Sequence, residues 1–143
     1  MFNIPKLTMK PFALLCILSL FLGSCSTDDE ANVEFSLARI VEVSVDTDLV
    51  VGQETIITVR YVPASDCHFF YEIDLGRNGN VRTFAVIEGK QPDRTDCNPV
   101  PDGETFSRFI DFTPTEEADY ELRFYMGEEN GEAVYITRNV TAQ

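Results

Sequence analysis

The side chains able to act as nucleophiles, acids, bases or metal ligands are few in kind. The chain of 143 residues holds one histidine, four cysteines and 24 acidic residues. With His68 alone, paired-histidine metal centres and HExxH are excluded, and neither a GxSxG elbow nor a phosphate-binding P-loop occurs. Two carboxylates can share acid–base work, but nothing in the spacing of the acids singles out a pair. His68 follows Cys67 directly, and neighbouring strand residues point to opposite faces, so a thiol–imidazole couple is not expected. No catalytic residue and no cofactor is assigned, and the chain is not expected to be an enzyme.

One loop, residues 89–103 and the start of the next strand, gathers hard oxygen donors: Asp93, Asp96, Asn98, Asp102 and Glu104. Calcium takes six to eight such oxygens. The spacing fits no EF-hand and the prolines at 92, 99 and 101 stiffen the segment. A solvated loop is the expectation, with calcium as the alternative and no metal site assigned.

The first 25 residues read as targeting. Lys6 and Lys10 form a positive start, and residues 12–22 form an apolar run well short of the ~20 residues that span a bilayer. Met9 is an alternative start for the same leader. The run ends in Leu22-Gly23-Ser24-Cys25, which resembles the lipobox of bacterial lipoproteins. That resemblance implies cleavage before Cys25 and acylation of its thiol. Two or more acyl chains anchor firmly, since each buried CH₂ adds about 0.8 kcal/mol. Ser26-Thr27-Asp28-Asp29-Glu30 resembles the surface-export signal of Bacteroidetes-type lipoproteins, although Thr27 departs from the tighter acidic run. The resemblance implies a palmitate-bearing outer-membrane lipoprotein displayed at the surface, with a periplasm-facing anchor as the alternative. Residues 1–24 are thus expected to be the signal peptide, 25–32 the acylated cysteine and acidic linker, and 33–143 one domain.

Export settles the remaining cysteines. Cys16 leaves with the leader and Cys25 is acylated, so Cys67 and Cys97 remain as a pair in an oxidising compartment. There is no CxxC. A disulfide between them closes a loop of about 30 residues and stabilises by roughly 3–4 kcal/mol. Without Lys6 and Lys10 the chain keeps nine basic residues against 24 acidic ones, a net charge of −15. That balance argues against nucleic acid or anionic lipid as a ligand, because phosphate contact needs clustered Lys and Arg. Membrane contact is expected through the anchor alone.

The mature part alternates with period 2, which predicts strands. Val33, Phe35 and Leu37, then Val41, Val43 and Val45, are expected to face inward from a first strand or broken pair. Ile57, Val59 and Tyr61 follow, then Cys67, Phe69, Tyr71, Ile73 and Leu75. Asn78-Gly79 predicts a two-residue hairpin turn that sets Ile73 opposite Phe84 and Tyr71 opposite Val86. Phe106, Ile110 and Phe112 form a further inward set. In the last hairpin a three-residue loop, Glu129-Asn130-Gly131, is expected to match Phe124 to Ile136 and Met126 to Val134.

Glu116-Glu117-Ala118-Asp119-Tyr120-Glu121-Leu122 resembles the tyrosine corner of immunoglobulin-like domains. Leu122 stands where antibody domains carry their second core cysteine, and the chain has no tryptophan. The resemblance implies an immunoglobulin-like antiparallel β-sandwich of seven to eight strands. In that arrangement the third strand would lie beside the last hairpin. Phe70, Tyr125 and Tyr135 would then share one solvent face, a platform suited to a sugar ring or an apolar protein patch. Cross-strand aromatic packing is the structural alternative. The functional expectation is a non-catalytic binding or adhesion module for a glycan or protein. An accessory subunit of an outer-membrane complex, with no ligand of its own, is the alternative.

Overall fold

Residues 33–143 are those described by the computed structural model. The lipobox, Cys25 and the acidic linker lie outside them. The described residues form eight strands and no helix, as the period-2 patterning requires. They are β1 (Glu34–Ser44), β2 (Asp48–Leu49), β3 (Thr55–Val62), β4 (His68–Asn78), β5 (Val81–Lys90), β6 (Phe106–Phe112), β7 (Ala118–Glu129) and β8 (Glu132–Ala142). They hydrogen-bond in the order β2-β8-β7-β5-β1-β3-β6, with β4 also on β5, and the sheet curls into a half-barrel.

The sheet is mixed where an antiparallel one was expected. β5 runs parallel to β7, and β2 parallel to β8. The composition of β5 explains the first departure. Phe84, Ala85 and Val86 are all buried, on both faces of the strand. A strand buried on both faces belongs inside a sheet, so the β4–β5 hairpin lies with β5 innermost and the more polar β4 at the edge. The third strand therefore does not neighbour the last hairpin; β5 stands between them.

Strand β1 joins the two parts of the curl. Its first half pairs with β5 and its second half with β3. A register shift between Ile40 and Glu42 reverses which parity faces inward. Ala38, Ile40 and Val43 are buried, whereas Phe35, Leu37 and Val41, expected inside, are exposed. The neighbouring β3 follows expectation, with Ile57, Val59 and Tyr61 fully buried, as are Tyr120, Leu122 and Phe124 of β7.

Both hairpins close differently from expectation. In the first, Asn78 pairs Val81 around Gly79-Asn80, so Ile73 meets Val86 and Leu75 meets Phe84. Gly79 has φ +58°, a conformation glycine adopts without strain. A bulge at Tyr71 then turns Phe70 inward and leaves Phe69 and Tyr71 exposed. In the last hairpin the turn is Asn130-Gly131, with φ +55° and +81° as a two-residue primed turn requires. Phe124 does pair Ile136, but the extra residue is a bulge at Met126, so Gly127 meets Val134. The sequence carried one residue too many for the strands; a bulge absorbs it, not a longer loop.

Candidate functional site

Of the three aromatic residues expected to share a platform, Phe70 stands apart from Tyr125 and Tyr135. Phe70 is half-buried against the core, its ring 6.4 Å from Tyr61 and capped by the Arg108 guanidinium at 4.3 Å. Tyr125 and Tyr135 do pair across β7 and β8, edge to face at 6.3 Å. Each half-covers the other, and burial together with Glu128 raises the Tyr125 hydroxyl above its usual range. This is cross-strand packing of the kind that stabilises a sheet.

A different aromatic surface forms on the outer face where β1, β5 and β4 run side by side. Phe35 pairs with Gly89 and Leu37 with Ile87 on one side; Phe69 pairs with Gly89 on the other. The absence of a side chain at Gly89 is what permits this packing. A Cβ there would lie 2.6 Å from Phe69 Cζ and 2.9 Å from Val33 Cγ1. The bulge at Tyr71 brings its ring to 4.7 Å from Phe35. Phe35, Tyr71, Leu37 and Phe69 remain 54%, 52%, 47% and 38% exposed. At roughly 200 Å² for each large side chain, they present an apolar surface of roughly 350–400 Å², within the range of functional patches. The residues were visible in the sequence as an alternating apolar set. That same alternation assigned them to the core, and only the two bulges reverse it.

Beneath this patch, on the inner face, Glu88 is fully buried. Ser36 Oγ donates to its Oε1 at 3.1 Å, and the Ala64 N–H reaches both oxygens at 3.2 and 3.3 Å. The carboxylate thereby clasps the β3–β4 turn to the sheet. Burial, with Glu88 nearby, raises the Tyr61 hydroxyl above its usual range, while Arg108 opposes the shift.

The Cys67–Cys97 disulfide is present, with Cα atoms 5.4 Å apart, and holds the loop after β5 against the start of β4. Asp66 reinforces it by accepting from the Asn98 backbone N–H at 2.9 Å and from Asn98 Nδ2 at 3.3 Å. These bonds, the backbone one foremost, hold the Asp66 carboxyl below its usual range. His68 Nδ1 shares a 2.8 Å hydrogen bond with Ser65 Oγ, away from the sulfurs. Asp93, Asp96, Asp102 and Glu104 do not converge on one another. Among the described residues the one group with ligand atoms in reach is Asp66, Cys67 and Cys97, whose sulfurs are bonded together.

No protein-family description, curated protein or solved structure matches this chain with significance.

Proposed function

We propose that this chain is an envelope-anchored lipoprotein whose domain is a non-catalytic binding module, docking a protein partner on the outer β1–β5–β4 face. One observation carries the reading: Phe35, Leu37, Phe69 and Tyr71 crowd together at the surface although the strands offered inward positions nearby. The surface is apolar, with few hydrogen-bonding groups, which favours a protein over the glycan also expected from the sequence. The same feature suits the accessory-subunit reading, in which that partner is one component of an outer-membrane complex.

The magnitude is informative. At about 25 cal/mol per Å², covering the patch yields about 9 kcal/mol before the association cost of 4–15 kcal/mol. Such a surface binds weakly by itself. A lipid anchor at Cys25 would hold it on the same membrane as its partner, where an effective concentration near millimolar makes weak contacts sufficient. We read the fold as immunoglobulin-like: β3 pairs β6, β7 pairs β8, and the Tyr120 hydroxyl donates to the Glu116 carbonyl at 3.3 Å, as a tyrosine corner does. The placement of β5 beside β7 is its departure from that pattern.

A photo-crosslinking residue at position 71, in cells, should capture one discrete protein species. That species should vanish in a Phe35→Ser variant whose melting temperature is nearly unchanged. Capture of lipid alone, or of no defined protein, would remove the patch as a docking face. Palmitate labelling that persists in Cys25→Ala would remove the anchor.

A further inference from the structure

Strands β4 and β6 face each other without a hydrogen-bonded ladder; β4 pairs β5 and β6 pairs β3. At the end away from the disulfide the space between them opens into a cleft of about 270 Å³. Phe84 and Phe112 form an apolar floor, and Thr113 and Thr115 line one side. Arg77 and Arg82 line the other.

Two features of these arginines go unexplained by folding. They are direct cross-strand partners in the β4–β5 ladder, and like charges directly opposite destabilise a sheet. They also stand apart from the ion pairs of the described residues, which are Arg60–Glu42, Lys90–Glu34, Arg94–Asp66 and Arg123–Glu121. This is notable in a chain with 24 acids and 11 bases. Arg82 is positioned by its own hairpin, donating to the Gly79 and Val81 carbonyls and lying 5.2 Å over the Tyr120 ring. Arg77 is exposed and makes no such bond among the described residues. Asp111 borders the cleft without pairing with either. Four other clefts carry at least as many carboxylates as cations, so this one differs in sign.

We propose that this cleft is a binding site for a small organic anion, a carboxylate or phosphate on a body that is part apolar and part hydroxylated. The guanidinium forks suit either oxyanion, the threonine hydroxyls supply neutral hydrogen bonds, and the phenylalanine floor takes apolar surface. The volume is just below the usual range for ligand pockets, about 300 Å³ and upward, which fits one sugar-sized unit or the charged end of a longer ligand. The site is separate from the outer aromatic face and stands or falls without it.

At least one of the two organic anions glucuronate and glucose 6-phosphate, titrated into the intact protein in parallel with inorganic phosphate, should give saturable NMR shifts at the Thr113 and Thr115 amides. Glucose should give none. Arg77→Gln should weaken binding about tenfold or more, the loss expected for one charge-assisted contact, while melting at or above the wild-type temperature. Salt near 1 M, where screening acts within about 3 Å, should abolish it. Phosphate alone binding indicates an oxyanion site without a place for the sugar and refutes the organic-anion assignment. Equal binding of glucose, no binding of any anion, or an Arg77→Gln protein that binds normally or melts early would each overturn the proposal.

Discussion

The two ends of the gap between β4 and β6 are built with the same residue type and meet different fates. At one end Arg108 of β6 reaches across and stacks on Phe70 of β4, with the Tyr61 ring 5.7 Å away. The disulfide, the Glu88 clasp and the Asp66–Asn98 pair crowd into that same end. At the other end Arg77 and Arg82 oppose one another and the gap stays open. An arginine engaged with aromatic rings can fasten two strand edges that never pair. Arginines that repel each other keep a space between them.

If the first end is the fastened one, its variants should be costly and graded. Replacing both Cys67 and Cys97 with serine should have the largest effect, about 3–4 kcal/mol, read as a lower denaturant midpoint. Glu88→Ala should follow at about 2 kcal/mol, from the lost hydrogen bonds and the space left behind; Glu88→Gln should recover part of it. Arg108→Ala should cost about 1 kcal/mol and increase exposure of Phe70 to solvent, measured by dye binding. An Arg108→Ala protein as stable as Arg77→Gln would erase the contrast between the ends.

The smallest effect is a pH dependence. Asp66 titrates below the ordinary carboxylate range because Asn98 donates to its charged form. A depressed carboxylate stabilises the fold above its unfolded value, and the contribution is lost as pH falls through the lower folded value. The Asn98 amide resonance should therefore hold its position down to about pH 4 and move only below it. Movement at higher pH would show that the bond does not hold the loop.

How much of this was legible depends on parity. β3 could be read directly because Ile57, Val59 and Tyr61 alternate with the polar Thr58 and Arg60, even though Ile56 lies exposed on the other parity. β1 and β4 carry apolar residues on both parities, such as Phe35 with Ile40 and Phe70 with Tyr71, and only long-range pairing selects which set is buried. The bulges at Val41, Tyr71 and Met126 show only in the register of each strand against its neighbour, which single-strand patterning cannot register. The disulfide and the Tyr120 hydrogen bond were legible because each rests on few residues whose chemistry has few outlets. The arginine cleft was not, because Arg77 and Thr115 meet only through the curl of the sheet.

The divided strand β1 also sets where the domain yields to tension. Traction on the chain from its amino end enters at Glu34 and falls first on the pairs from Glu34–Lys90 to Ala38–Val86. The β3 half of the strand carries load only after those rungs give way. Phe35 and Leu37 lie on that first segment, so peeling it would dismantle the aromatic face while most of the sheet stays folded. A partner gripping those rings would also brace the rungs beneath them, and adhesion and mechanical strength would rise together.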